Sequence, residues 1–220
     1  MGKIKLTVFG ASGRMGREVT DLARIDKQLQ IVGLDARPHV VIDFSSPEGV
    51  LKIAKWCAEN KVPLVSGTTG LTSGQLKRIK SLTGKIPTLL SPNFSLGLNA
   101  MAKAVEVFLS STTPVEVVIK EVHHKNKKDN PSGTAKFLQS VIKQSVTKST
   151  KLSEPVGKRI GDVFGVHTVS CFLDGELITF EHEARDRKIF AQGAIEVAKW
   201  LYNQRPGVYT MKDYIEGISQ

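Results

Sequence analysis

Cysteine is scarce, with only Cys57 and Cys171 among 220 residues. Each sits inside an apolar pattern without a Cys-x-x-Cys or Cys-x-x-His neighbour, so both read as buried reduced thiols rather than a disulfide or a zinc site. Histidine is also sparse, five in all, and His39, His167 and His182 are scattered without metal-ligand spacing. His39 reads as a surface residue, His167 and His182 as structural residues on sheet strands, and no metal is expected. Aromatic residues make up 6%, and no basic run is interleaved with them, which removes a stacking platform for single-stranded nucleic acid. Trp56 and Trp200 fall on helix faces and read as core. No apolar run reaches the roughly 18 residues of a membrane span. The chain runs directly into a strand without a signal or transit pattern, so a cytoplasmic protein is expected.

Acidic residues are outnumbered, 21 against 31 Lys and Arg, for a net charge of +10. Such an excess suits nucleic acid, a membrane surface or small anions. The lysines are spread along helices, as at Lys136, Lys143 and Lys148, which marks solvated faces. Small anionic ligands suffice to explain the charge, and neither a nucleic-acid nor a membrane partner is expected.

Strands and helices alternate through the first ninety residues. The pattern predicts strands at Ile4–Phe9, Leu29–Leu34, Val40–Phe44, Val62–Val65 and Ile86–Leu90. Between them it predicts a helix over Arg14–Ile25, one begun by Ser46-Pro47, and one begun by a capping box of Thr72 and Gln75. This is α/β, a Rossmann-like parallel sheet. After Asn93 the pattern changes to a helix through Leu98–Phe108, a long strand over Val115–His123, and a helix around Phe137–Ile142. A hairpin, Val166–Leu173 with Glu176–Glu183, closes on Asp174-Gly175. The Ser-, Thr- and Lys-rich stretch from Ser145 to Lys158 reads as a loop. The second part is therefore α+β with an open mixed sheet. The boundary is placed at Phe94, giving a dinucleotide-binding domain over 1–94 and a second domain from residue 95 to 187.

Gly10-Ala11-Ser12-Gly13-Arg14-Met15-Gly16 joins the first strand to the first helix. Glycines here let the backbone turn tightly against a pyrophosphate held at a helix N-terminus. Asp35, 19 residues past Gly16, is placed to bind the adenine ribose hydroxyls of NAD, and Arg37 to meet a 2′-phosphate. Acid and base together leave NADH and NADPH both open.

Glu121 to Ala135 reads E-V-H-H-K-N-K-K-D-N-P-S-G-T-A. It places His123, His124 and Lys127 just before a helix start at Ser132, Gly133 and Thr134, the parts for donating a proton and holding an anion. Neighbouring strand residues face opposite ways, so His123 and His124 can share a cleft only if the strand ends there. Asp129 is placed to orient Lys127 or to cap the following turn, and the turn is favoured.

Taken together, G-A-S-G-R-M-G, D-F-S-S-P-E at Asp43–Glu48, G-T-T-G at Gly67–Gly70, N-F-S at Asn93–Ser95 and the H-H-x-x-K-x-D-x-P-S-G-T run resemble the 4-hydroxy-tetrahydrodipicolinate reductase (dihydrodipicolinate reductase) family. A-x-x-R at Ala184–Arg187 and F-A-x-G-A at Phe190–Ala194 extend the likeness. The resemblance implies reduction of a small cyclic dicarboxylate by NADH or NADPH in lysine and diaminopimelate biosynthesis. It gives His123 as proton donor and acceptor and Lys127 as a second donor. It gives His124, Gly133 and Thr134 to the substrate, while the helix start at Ser132 and the charge of Arg187 suit the same dicarboxylate on physical grounds. Gly10, Ala11, Ser12, Gly13, Arg14, Met15, Asp35, Gly67, Thr68, Thr69, Ser91, Pro92, Asn93 and Phe94 go to the cofactor. It also implies return of residues 188–220 to the first domain, substrate binding by the second, and a homotetramer. The stretch from Asp35 to Val40 is short, marking a compact form. A non-catalytic NAD(P) sensor and an amino-acid dehydrogenase of similar architecture are the alternatives.

Overall fold

The computed structural model describes residues 2–217. The chain forms two compact units, one reaching to Ser95 and resuming at Arg187, the other spanning Leu96–Asp186.

The first unit is a six-stranded parallel sheet in the order β11-β5-β4-β3-β1-β2. Its strands are β1 (Ile4–Phe9), β2 (Leu29–Ile31), β3 (Val40–Asp43), β4 (Leu64–Ser66), β5 (Pro87–Leu90) and β11 (Gly207–Tyr209). β3 and β4 are buried throughout, as expected of central strands covered on both faces. The helices are α1 (Arg14–Ile25), α2 (Pro47–Asn60), α3 (Ser73–Thr83), α6 (Lys188–Leu201) and α7 (Met211–Gly217). Ser46 Oγ accepts from Gly49 N at 3.1 Å and Pro47 opens α2. Thr72 and Gln75 cap α3 reciprocally, at 3.2 and 2.9 Å. Strand order reverses between β2 and β3 around β1, which makes the carboxyl end of β1 a topological switch point.

β2 is shorter than the sequence pattern suggests. It stops at Ile31, and Leu34–Ala36 form a 3-10 turn instead. Gly33 interrupts the ladder, and the chain crosses from β2 to β3 with no α-helix.

The second unit has a mixed sheet, β10-β9-β6-β7, with β8 also pairing β6. Its strands are β6 (Glu116–His123), β7 (Lys151–Leu152), β8 (Val156–Arg159), β9 (Gly165–Phe172) and β10 (Leu177–Ala184). Two of these, β7 and β8, lie where the sequence reads as loop. Their alternation is exposed and half-buried rather than apolar, so the pairing with β6 is invisible to periodicity. β9 and β10 form the hairpin, closed by Leu173 N–H to Glu176 O at 2.9 Å with Gly175 at φ +76°. Helices α4 (Leu96–Ser111) and α5 (Gly133–Ser145) cover one sheet face. Leu98, Val105, Leu138 and Ile142 pack there against Val117, Ile119, Val169 and Cys171. The opposite face shows Val118, Lys120, Ser170 and Thr179, half-buried or exposed. Both cysteines are free and buried. Burial pushes the Cys171 thiol up to about 11 and raises Cys57 further, so both stay protonated at neutral pH.

Candidate functional site

In the first unit the loops that follow β1, β3, β4 and β5 gather at the carboxyl edge of the sheet. Gly10 has φ +83°, and a Cβ there would meet Phe44 O at 2.7 Å. A Cβ on Gly16 would lie 2.1 Å from Gly10 O, so the turn closes only on glycine. Gly13 caps α1 without a side chain, and no acid stands in the first helical turn. The first amides of α1 therefore point outward from a positive helix end that nothing in the turn neutralises. Ala11, Ser12, Gly13 and Arg14 are exposed and Met15 half-buried. This turn fits a pyrophosphate.

Asp43 at the end of β3 ties the neighbouring loops together. One carboxylate oxygen accepts from the Ser45 amide at 3.1 Å and the Ser45 hydroxyl. The other accepts from Ser66 Oγ and Thr68 Oγ1, both at 2.7 Å. Gly67 N–H bonds Asp43 O at 2.9 Å, so the Gly67–Thr69 loop is held from two sides. Ser91 Oγ bonds Asn93 O at 2.8 Å, Asn93 Oδ1 accepts from Ser95 N at 2.8 Å, and buried Phe94 meets Phe44 edge-on. The structure thus brings Gly10–Met15, Gly67–Thr69 and Ser91–Phe94 to one edge. It does not bring Arg37 there. Arg37 is exposed and lines a groove with Lys5, Pro38, His39, Pro63 and Pro87, at the amino ends of the strands. The helix-free crossing from β2 is the cause. Asp35 is exposed in that same crossing. His39 is half-buried, stacked on Tyr202 and accepting from Lys5 N, and so is held in place rather than loose on the surface.

In the second unit, strand register builds a polar cluster. Glu121 and His123 are two apart on β6 and share the covered face with Val117 and Ile119. Glu121 stands opposite His167 on β9 and Gly157 on β8, and His123 opposite Arg159 on β8. Glu121, His123 and His167 are buried at 1, 5 and 5% exposure. Glu121 Oε1 accepts from Arg159 Nη2 and from Ser132 N–H, both at 3.0 Å. Glu121 Oε2 has no hydrogen-bond partner and faces His123 Nδ1 and His167 Nε2, each at 3.6 Å. The two imidazoles meet edge-to-face at 4.9 Å.

Burial pushes the Glu121 carboxyl up, but the bonds from Ser132 and Arg159 outweigh it and hold the group below the usual carboxylate range. Burial lowers His123, opposed by Glu121 and reinforced by Lys127 and Arg159. His167 is driven down to about 4, by burial first and then by His123. One ligand atom each from Glu121, His123 and His167 lies within 4.8 Å of the others, a spacing a metal could use. The guanidinium of Arg159 already brings positive charge to the carboxylate, so the cluster is better suited to hydrogen bonding than to a cation.

β6 ends at His123, and the chain turns at once, with Lys127 N bonding His124 O at 3.1 Å. His124 is half-buried. Lys127 Nζ pairs with Asp129 Oδ1 at 2.8 Å, and the Gly133 backbone also draws the Asp129 carboxyl down. Asp129 therefore engages Lys127 directly as well as the helix start, so both roles open to it in the sequence are filled. Ser132 caps α5 through its hydroxyl to Ala135 N at 3.1 Å, leaving Gly133 exposed and Thr134 half-buried in a first turn free of acids. Arg187 stands in the other unit, at the N-terminus of α6.

Sequence reasoning assigned no site role to Asp43, Glu121 or Arg159, and read His167 as a structural strand residue. Two of them carried a signal: Asp43 is an acid ending an apolar strand, and Glu121 with His123 is a polar pair at i and i+2 on a strand whose remaining inward positions are apolar. Arg159 carried none, because β8 was not legible.

The pattern described as "Dihydrodipicolinate reductase, N-terminus" matches residues 4–39 and 32–94, and "Dihydrodipicolinate reductase, C-terminus" matches residues 97–215. A 4-hydroxy-tetrahydrodipicolinate reductase of Bdellovibrio bacteriovorus is 38% identical over 231 residues, covering 100% of each chain. Another, from Alkaliphilus oremlandii, is 36% identical over 237 residues, covering 96% of this chain and 98% of its own. The dipicolinate-bound dihydrodipicolinate reductase of Paenisporosarcina sp. TG-14 shares the fold at TM-score 0.80 and 20% identity, over 94% of this chain and 97% of that one.

Proposed function

The chain belongs to the dihydrodipicolinate reductase family, and on that footing we propose that it reduces 4-hydroxy-tetrahydrodipicolinate to tetrahydrodipicolinate with NADH or NADPH. Substrate and product differ by one hydroxyl, so a hydride and a proton enter and water leaves. The nicotinamide supplies the hydride when bound. Gly10–Met15, Gly67–Thr69 and Ser91–Phe94 of the first unit hold the dinucleotide, with Asp35 toward its ribose. The second unit binds the substrate, with His123 as proton donor and Lys127 as the second.

The observation that carries this reading is the placement of His123 and Lys127 beside the start of α5. Hydride addition to a conjugated imine leaves negative charge, which a positioned acid quenches. His123 is depressed in the free protein by burial and by its cationic neighbours. A bound dianion opposes those cations and favours the imidazolium, so the donor is charged by the arrival of its own substrate. Lys127 and Gly133 now engage Asp129. A substrate carboxylate takes that place, with His124, Ser132 and Thr134 around it. The exposed face of the second sheet, with Phe172 39% and Leu177 55% exposed, joins subunits into a tetramer. Light scattering on the purified chain checks this, and a monomer at micromolar concentration would remove it.

The reaction is tested by following NADH and NADPH absorbance with substrate made in situ by a dihydrodipicolinate synthase. Synthase-dependent oxidation, reduced at least a hundredfold by His123→Ala and by Lys127→Ala, is the expected result. Folded, nucleotide-binding protein that oxidises neither cofactor would move the chain to the sensor reading.

A further inference from the structure

Resting on the reductase reading, we infer that Glu121 is a positioning residue that holds the proton donor and the anion-binding helix start with one carboxylate. Its two oxygens have different tasks. Oε1 accepts from the Ser132 amide at the N-cap of α5 and from Arg159, each at 3.0 Å. Oε2 accepts from nothing and lies 3.6 Å from His123 Nδ1, which also has no partner. A buried acceptor and a buried ring nitrogen left facing each other are an incomplete pair. They are completed when His123 carries a proton on Nδ1, which then points at a carboxylate oxygen, and the imidazolium does this while still holding a second proton on Nε2. The Nδ1 edge is thereby committed to Glu121, and Nε2 is the edge that gives its proton away. A Cβ on Gly165 would come within 3.0 Å of that Nε2, so the glycine keeps the edge uncrowded.

The groups facing His123 come from four segments: Glu121 on its own strand, Arg159 on β8, His167 on β9, and Lys127 with Asp129 on the following loop. Lys127 and Arg159 oppose its protonation, while Glu121 and Asp129 favour it. Glu121 is the nearer and fully buried of the two acids, and so is the principal support of the imidazolium. His167 shares Oε2 at the same distance, but burial first, and then His123, His182 and Lys127, work against its charge, and it stays neutral near pH 7. It therefore serves as the fixed wall of the cluster, its Nε2 3.4 Å from Ser132 Oγ.

The test compares Glu121→Gln and Glu121→Ala with wild type in two readouts: the pH profile of kcat, and an NMR titration of 13C-labelled His123 in protein without substrate. The amide of Gln can still accept from Ser132 N–H but carries no charge. The Gln variant is expected to lower the His123 midpoint by about one pH unit and move the alkaline limb of kcat down by the same amount, with KM changed less than about threefold. The Ala variant is expected to lose at least about tenfold in KM as well, because the helix start is released. An unmoved midpoint and limb in a Gln variant that melts like wild type would overturn the inference. Should that variant melt too early because Arg159 is left unpaired, Glu121→Asp retains the charge and decides the matter: raised KM supports the inference, and wild-type KM with a wild-type limb overturns it. The titration needs no turnover, so a wild type that oxidises no cofactor defeats the reductase reading separately.

Discussion

Asp43 and Glu121 are both buried carboxylates, 0 and 1% exposed, and they are held in opposite ways. Asp43, at the carboxyl edge of the parallel sheet, accepts on both oxygens, and every donor is an uncharged amide or hydroxyl. Glu121, in the mixed sheet, has one oxygen fully engaged with an arginine and an amide and the other facing two imidazoles without a hydrogen bond. The first arrangement is complete and has nothing left to do but hold loops in register. The second is completed only when an imidazole nitrogen facing it carries a proton, so it depends on titratable partners, as a proton-transfer site does and a scaffold does not. Where donors are neutral and saturated a buried acid is architecture, and where they are titratable and short of one bond it is chemistry.

The largest break in that comparison comes from emptying the saturated site. Asp43→Ala leaves the Ser45 amide and the hydroxyls of Ser45, Ser66 and Thr68 without their acceptor. At about 1–3 kcal/mol for each buried donor that finds no new partner, the loss should be roughly 3–5 kcal/mol, a drop of about 10 °C or more in Tm for a chain this size. Asp43→Asn keeps one oxygen, and the hydroxyls can rotate to accept from its amide, so less than half of that loss is expected. Scanning calorimetry of the two variants decides it. Equal losses would mean that the charge of Asp43 matters, not its acceptors, and the distinction from Glu121 would fail.

A second test uses pH. His167 titrates near 4 in the folded chain against an ordinary value of 6.5. The unfolded chain therefore takes up a proton at higher pH than the folded one. The stability this neutral, buried ring contributes is fully present above about pH 6.5 and is lost as pH falls toward 4, amounting to about 3 kcal/mol. His123, also lowered, adds to the loss in the same direction. Tm measured from pH 7.5 to 4.5 should fall steeply in wild type and more gently in His167→Gln. Parallel curves would show that the acid sensitivity does not come from the Glu121 cluster.

The two regions also differed in how much the sequence disclosed. Around Asp43 the signals are local: Ser46-Pro47 opens α2, Thr72 with Gln75 opens α3, and the G-A-S-G-R-M-G turn lies between β1 and α1, all where the residues put them. Around Glu121 they are not. The histidines and lysine were visible in one run, but Arg159 arrives from β8, a strand whose exposed alternation reads as loop, and His167 from β9. Nothing local says that these face one carboxylate, because strand register is set by pairing across 38 residues. The early end of β2 is a similar case, since the crossing that carries Arg37 to the amino edge follows from a missing helix rather than from any residue in it.

The smallest effect tests whether charge alone, without burial, can imitate either carboxylate. Lys199 on α6 lies 2.6 Å from Asp26, which ends α1, and 3.1 Å from Glu196. Burial would raise the Asp26 carboxyl, but Lys199 and the Gln28 amide hold it below its usual range. Burial would likewise lower Lys199, but Asp26 and Glu196 hold it above its own. Both side chains keep some access to water, at 17 and 21% exposure, so the attraction is screened. Lys199→Met should cost only about 1 kcal/mol, shrinking further in 1 M salt. The contribution is present above the ordinary carboxylate range, near 3.9, and is lost as pH falls through the depressed value of Asp26. It thus lies below the window of His167, and the two can be separated in one pH series. A loss of 3 kcal/mol or more, insensitive to salt, would place this pair with the buried carboxylates, and completeness of hydrogen bonding would no longer be what sets Asp43 and Glu121 apart.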